Sequence, residues 1–167
     1  MNLAVLDVFQ ARWTNQIHDE WTRNLLKNRP DLNTSQIERT RTLMNLHVRD
    51  CLVSNFEHLI PALQLPDLDD RHVLAAAIHS QSKRIVTANL KHFPSRSLEA
   101  YDIQTLPPDD FVLQLLETQQ MGVLTALHEQ RSNLQKPAIT AQTLLEILEQ
   151  QGLKRSVERL KNFSEVI

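Results

Sequence analysis

The sequence predicts an α/β fold that is predominantly helical and contains a short parallel sheet. Two short apolar runs, at 84–88 and 101–106, have strand character, and each follows a segment with helical character. The order helix, strand, helix, strand favours parallel pairing. The chain has only two glycines, which leaves little room for glycine-built hairpins or phosphate-binding loops.

Composition excludes several classes of protein. The 167 residues fit one domain, and a net charge of −2 gives no global positive field for nucleic acid. A single cysteine, Cys51, rules out a disulfide framework and a cysteine-based zinc site. No apolar stretch approaches the roughly 20 residues that span a bilayer, and the first residues do not resemble a signal peptide. We therefore expect a cytoplasmic protein without a membrane segment.

The first third of the chain is predicted to be helical. Thr14 is a good N-cap for a helix over 15–28, which Pro30 ends. A second helix is predicted to begin after Asn33 and to run to about residue 47. Before them, a short apolar stripe at helical spacing opens the chain, formed by Leu3, Leu6 and Phe9.

The middle of the chain carries the strands. Residues 51–53 are predicted to be a short strand or an extended connector. An alanine-rich helix is predicted over 70–81, and its small side chains permit close approach to a sheet. The strand at 84–88 follows that helix, and the strand at 101–106 comes after a helical turn.

The last third is predicted to be entirely helical, because apolar residues recur at helical spacing throughout. A linker is predicted at 133–140. These helices either pack on the same core or expose an apolar stripe to a partner. The predicted helices cover 109–117, 121–134, 140–151 and 153–162.

Three carboxylates stand at the start of the alanine-rich helix: Asp67, Asp69 and Asp70. One aspartate is enough to cap a helix and to complement its dipole. Three close together exceed that need, and a cation would offset their repulsion. Mg²⁺ and Mn²⁺ prefer oxygen ligands of this kind. The alternatives at this point are a metal site and ordinary capping with turn chemistry.

Polar side chains also follow the first strand, where α/β proteins place ligands. Thr87, Asn89 and His92 lie there, although a turn before Pro94 would account for the same residues. Glu20 lies beside the apolar stripe of its helix. An ion pair or simple solvation is its ordinary role.

Three blocks of sequence together resemble the PIN-domain family, and in particular the VapC-like toxin ribonucleases. They are D-R-H-V-L-A-A-A at 70–77, I-V-T-A-N-L-K-H-F-P at 85–94, and W-T-N-Q-I-H-D-E-W-T-R-N-L-L at 13–26. The resemblance implies a PIN-like three-layer fold over 1–111, with a helical extension at 112–167 packed on the same domain.

The resemblance also implies a chemistry, the hydrolysis of RNA by water that a divalent cation activates. It assigns catalysis to Glu20, Asp70 and Asn89. Mg²⁺ or Mn²⁺ would be held by Glu20 and Asp70, with Asp69 orienting the ligands. Contacts with the substrate would come from Thr87, His92, Arg71 and Lys91.

Two departures from the family pattern weaken the prediction that this chain is catalytically active. The acidic first strand of the family, with a motif such as D-x-N-V-L, has no counterpart here. His92 stands at a position that is often aspartate, which removes one negative charge. The predicted fold therefore lacks the usual first strand.

Three functions remain open. The first is a ribonuclease toxin with a cognate antitoxin, an RNA substrate and a homodimeric state, as the resemblance implies. The second is a catalytically inactive or truncated PIN-like protein that acts through antitoxin binding or self-association. The third is a purely helical interaction module whose acidic residues only cap helices.

Overall fold

The computed structural model describes residues 2–134 and 137–167, which form nine α-helices and two short strands joined by loops and 3₁₀ turns. None of the helices in these two segments is both long and apolar enough to cross a bilayer. The helices are α1 (Asn2–Val5), α2 (Asn15–Asn28), α3 (Thr34–His47), α4 (Arg71–His79), α5 (Ser95–Leu98), α6 (Pro108–Thr118), α7 (Gln120–Asn133), α8 (Ala141–Gln150) and α9 (Lys154–Leu160).

The two strands, β1 (Arg84–Val86) and β2 (Gln104–Leu106), form a parallel two-stranded sheet. The Gln104 amide donates to the Lys83 carbonyl at 3.0 Å, and the Thr87 amide donates to the Leu106 carbonyl at 3.0 Å. The predicted α/β class with a short parallel sheet is confirmed. The interpretation as a purely helical module is wrong, because β1 pairs with β2 in a parallel sheet.

Both strands are shorter than the sequence predicts. β1 ends at Val86 instead of residue 88. β2 begins at Gln104 instead of residue 101, because Glu99–Tyr101 forms a 3₁₀ turn and Asp102 adopts a left-handed backbone with φ 54°. A residue in that conformation interrupts the regular extended backbone of a strand.

Residues 51–53 form an extended connector. Leu52 makes an isolated parallel bridge with Trp13. The Trp13 amide donates to the Cys51 carbonyl and the Val53 amide donates to the Trp13 carbonyl, both at 2.8 Å. The connector thus pairs with the chain immediately before α2.

The chain divides into two compact units. The first unit comprises Gln10–Ile85 and Asn89–Thr105. Its core forms around α4, whose residues Leu74 and Ala75 are completely buried. The alanines of this helix are buried in the same core, and their close approach to the sheet stays a prediction. Apolar side chains that pack in this core include Val53, Phe56, Leu63, Leu65, Ile85, Phe93, Leu98 and Ile103.

The second unit comprises the described residues of Met1–Phe9, Val86–Ala88 and Leu106–Ile167. Its core is formed by the apolar faces of the C-terminal helices together with Val8, and includes Phe111, Leu115, Val123, Leu127, Leu144, Leu145, Val157 and Leu160. Of the predicted linker at 133–140, residues 135 and 136 lie outside the described residues. The division at residue 111 stays a prediction.

A buried polar network holds α2 against α3. Trp21 Nε1 donates to His18 Nδ1 at 2.8 Å, so the proton of the neutral His18 ring is on Nε2. That Nε2 lies 2.9 Å from Asn45 Oδ1, which also accepts from Trp13 Nε1 at 2.7 Å. Because His18 is completely buried, these bonds fix the position of the helix that carries Glu20.

The start of α2 provides a first test of the fold. Thr14 is 1% exposed, and its hydroxyl oxygen accepts from the Ile17 amide at 3.1 Å. We expect Thr14→Ala to lower the free energy of unfolding by about 1–2 kcal/mol, because a helix amide loses its cap. Urea unfolding measures this loss. Thr40→Ala, in the exposed interior of α3, is the control, and an equal loss in both variants would contradict the capping role.

Candidate metal centre

A short turn before α4 presents two carboxylates. Asp67 Oδ1 accepts from the Asp69 amide at 3.0 Å, and Arg71 Nε donates to the Leu68 carbonyl at 2.9 Å. Asp70 occupies the N-cap position of α4, yet its side chain makes no capping hydrogen bond. The carboxylate of Asp70 is therefore not used by the helix.

His92 contacts the Asp70 carboxylate, which does not cap α4. It lies in the 3₁₀ turn Leu90–His92, which follows β1 in the chain. Its Nδ1 lies 2.6 Å from Asp70 Oδ2 and 3.4 Å from Asp67 Oδ2. The Asn89 Nδ2 is 2.9 Å from the same Nδ1. A hydrogen bond to a carboxylate is stronger than one to a neutral group, so Nδ1 donates to Asp70 in the absence of a cation.

Asp67, Asp70 and His92 form a compact set of metal-binding groups. One donor atom from each lies within 4.8 Å of the others. The three side chains are 43%, 26% and 24% exposed, so solvent and solutes reach them. Two carboxylates and one imidazole at this spacing fit the coordination sphere of a divalent cation.

A second contact between a carboxylate and an imidazole involves Glu20 and His72. Glu20 Oε1 on α2 lies 2.9 Å from His72 Nε2 on α4. The His72 side chain is 2% exposed, and neither of its ring nitrogens has a hydrogen-bond partner among the described residues. The short contact therefore lacks the direction of a hydrogen bond. A buried imidazole without a partner is costly and needs an explanation.

The predicted site residues lie in different environments in the structure. It brings Asp70, Asn89 and His92 together. Asp69 is exposed and donates its amide to Asp67, and its carboxylate is not part of the three-residue set. Glu20 lies against His72. The assignment of Glu20, Asp70 and Asp69 as the metal ligands stays a prediction.

The predicted substrate contacts also occupy distinct places. Lys91 and His92 line an open depression on the first unit, together with Pro66, Asp67 and Leu68. Arg71 is half-buried beside the turn that it stabilises. Thr87 belongs to the second unit and directly follows β1, where its amide extends the ladder with β2. Their contacts with a substrate stay predictions.

The family resemblance assigns no role to two residues of this region. Asp67 belongs to the group of three carboxylates for which the sequence leaves a metal site open, and its spacing of three residues from Asp70 is the available signal. His72 lies inside the apolar run of α4, where an imidazole is most simply a core residue. The sequence gives no signal that separates His72 from an ordinary core residue. That signal comes from the structure, in which its ring lies against Glu20.

Comparison with known proteins agrees with the resemblance seen in the sequence. Residues 108–162 match the family model described as the VapC50 C-terminal domain. Over 82 residues, the chain is 40% identical to the protein named "Putative ribonuclease VapC50" from Mycobacterium tuberculosis. The match covers 49% of this chain, and the chain spans about half (48%) of that relative. No solved structure matches the chain.

The two matches come from different kinds of comparison, and both point to the same group of proteins. One is a family model that covers the C-terminal helices, and the other is a pairwise identity over about half of the chain. They confirm the resemblance to the VapC-like group that the three sequence blocks indicate. The chain is therefore similar to the VapC-like group over these matched stretches.

Proposed function

We propose that this protein is a metal-dependent ribonuclease that cleaves RNA at the Asp67, Asp70 and His92 set. The observation that carries the proposal is that these three side chains lie close together. Two of them come from the turn before α4 and one from the turn after β1. The similarity to the VapC-like group supports the same reading. The relative is named as a ribonuclease, and the activity is here extended to this chain.

The donor set supports a divalent cation. Asp67 and Asp70 supply carboxylate oxygens and His92 supplies a ring nitrogen, all within 4.8 Å of one another. Glu20 and Asp69 are the further ligands that the sequence predicts, and Mg²⁺ or Mn²⁺ is the predicted ion. When bound, such an ion lowers the pKa of coordinated water and offsets charge on the phosphate.

The other residues around the set have roles that follow from their chemistry. Asn89 lies beside His92 and offers an amide that can orient a phosphate oxygen or an attacking water. Arg71 and Lys91 attract the phosphates of an RNA strand, which compensates for the near-neutral charge of the chain. Thr87 and His92 are the remaining proposed substrate contacts.

The partners of this protein are part of the proposal. A toxin of this family implies a cognate antitoxin, whose basic side chain would neutralise the carboxylates of the site. A homodimer and a cytoplasmic location belong to the same proposal.

Metal removal tests the proposed reaction. We expect the purified chain to cleave single-stranded or structured RNA, to lose cleavage in excess chelator, and to regain it on addition of Mg²⁺ or Mn²⁺. Gel analysis of labelled RNA with both ends marked measures internal cleavage. Ca²⁺, which binds oxygen ligands in a larger and looser shell, is the control and should restore little activity.

The alternative is a catalytically silent relative that acts through antitoxin binding or self-association. It is favoured by the small number of acidic groups in the observed set, which has two carboxylates and one imidazole. If metal ions bind to the protein but no RNA tested is cleaved with any of them, the silent alternative replaces the ribonuclease.

A further inference from the structure

Two histidine rings meet on the surface of the first unit, away from the candidate metal centre. His58 lies in the 3₁₀ turn Glu57–Ala62, and His79 is the last residue of α4. Their ring centroids are 6.3 Å apart, and the ring planes are nearly perpendicular at 82°. Both residues are exposed, and neither makes a hydrogen bond or an ion pair with another described residue. The ring nitrogens of this pair are therefore available to a ligand from solvent.

We propose that His58 and His79 together bind a Zn²⁺ ion, which links the 3₁₀ turn to the end of α4. Imidazole nitrogen suits Zn²⁺ and the other late divalent ions, whereas Mg²⁺ prefers oxygen ligands. Among the described residues, no carboxylate or thiol joins the two rings in a compact set of donors. Water therefore completes the coordination of the bound ion at this open surface.

The pair is distinct from the candidate metal centre. Asp70 occupies the N-cap position of α4, and His79 stands at the last of its nine residues. A rise of about 1.5 Å per residue places the two ends of the helix about 13 Å apart. One ion cannot contact both ends, so the zinc site does not depend on the proposed ribonuclease activity.

The separation of the two rings fits one shared ion. A Zn–N bond of about 2.0 Å places the ion about 3.2 Å from the centre of an imidazole ring. Two rings on opposite sides of the ion then lie about 6.4 Å apart, and two rings at the tetrahedral angle lie about 5.2 Å apart. The observed 6.3 Å falls within this reach or about 1 Å beyond it, depending on the angle. Rotation about the side-chain torsions of two exposed residues covers that difference.

The backbone beneath both rings is held by the core of the first unit. Leu59 and Ile60 follow His58 in the 3₁₀ turn, and Ile78 precedes His79 in α4. All three apolar side chains pack against that core, and the turn and the helix contact each other directly. The two imidazoles are therefore presented from fixed positions, so little conformational freedom is lost when an ion binds.

Titration of the whole chain with Zn²⁺ tests the inference without any assay of activity. His92→Ala is the background for every titration, because it removes the imidazole of the candidate metal centre. Calorimetry then gives the affinity of the remaining site. We expect His58→Ala and His79→Ala each to lower this affinity by about 100-fold, since the loss of either ring removes the advantage of two linked donors.

The number of rings on the ion provides a second measurement. Imidazole also binds Cu²⁺, and pulsed EPR of one equivalent of Cu²⁺ counts the coordinated imidazoles. We expect two in the background protein and one after either substitution. Because this count is made on the protein with both rings present, it decides the inference even if an alanine variant does not fold.

His128→Ala, on the exposed surface of α7 in the second unit, is the matched control and should change neither quantity. If the two rings only contact each other, Zn²⁺ affinity is unchanged in one or both of the His58 and His79 variants, and this result overturns the inference. A single coordinated imidazole in the background protein also overturns it. Absence of Zn²⁺ binding in that background has the same consequence, and it leaves the proposed ribonuclease untouched.

Discussion

Asp70→Asn is expected to reduce RNA cleavage by about 100-fold or more, because it removes a charged ligand from the proposed metal centre. The Asp70 carboxylate makes no capping bond with α4, so asparagine should leave the helix unchanged. The variant loses the negative charge that would hold the cation, and its amide keeps only one oxygen as an acceptor for His92 Nδ1. Steady-state kinetics on RNA, with calorimetric titration of the metal ion, measures both effects.

Asp102→Asn provides the matched control for that substitution. Asp102 is exposed and pairs with Lys83 at 2.6 Å, and its backbone has φ 54°. Asparagine tolerates this left-handed conformation well, so the control removes one carboxylate without straining the chain. Its activity should equal that of the unmodified protein. Full activity and unchanged metal affinity in Asp70→Asn would show that the reaction takes place elsewhere.

Asp109→Ala is expected to lower the free energy of unfolding by about 2–4 kcal/mol. Asp109 lies in the first turn of α6, but its carboxylate caps α9. It accepts from the Arg155 amide at 2.9 Å and from the Ser156 amide at 2.9 Å, and the Ser156 hydroxyl donates to it at 2.6 Å. Leu153, at the N-cap of α9, makes no side-chain capping bond. Removal of Asp109 leaves the amides of Arg155 and Ser156, at the start of α9, without their carboxylate acceptor.

The neighbouring Asp110→Ala is the control for this loss. Asp110 forms an ion pair with Arg155 at the surface, and such pairs contribute about 1 kcal/mol at most. Urea unfolding of both variants, followed by circular dichroism, compares them directly. Equal losses would show that the carboxylate of Asp109 does not cap α9.

The Asp109 contribution also depends on pH. Burial favours a raised pKa for this carboxyl group, but the hydrogen bonds from Ser156 and Arg155 outweigh burial and hold the pKa below the ordinary value of 3.8. A lowered pKa in the folded state stabilises the protein above pH 3.8, and this contribution disappears as the pH falls through the folded pKa. The difference in stability between the unmodified protein and Asp109→Asn should therefore shrink in acid.

Local signals in the sequence account for most of the secondary structure. Thr14 caps α2 as expected, and the helix from residue 15 to residue 28 has its predicted bounds. The C-terminal helices lie within one to three residues of their predicted limits at most ends, because apolar residues at helical spacing bury one face. Strand bounds were less accurate, since a 3₁₀ turn and the left-handed Asp102 interrupt the apolar run before β2.

The sequence and its family resemblance predicted that Asp70, Asn89 and His92 lie together, and the structure brings these side chains into contact. Their roles in a site stay predictions. The pairing of their side chains depends on contacts between distant parts of the chain, such as the 22 residues that separate Asp70 from His92. Only the folded chain turns Asp67 toward His92, leaves Asp69 exposed, and places the buried ring of His72 against Glu20. Caps and helices form through interactions between residues close in sequence, so a short stretch is enough to predict them. The groups that meet around a metal ion come from distant parts of the chain, and their positions depend on tertiary packing.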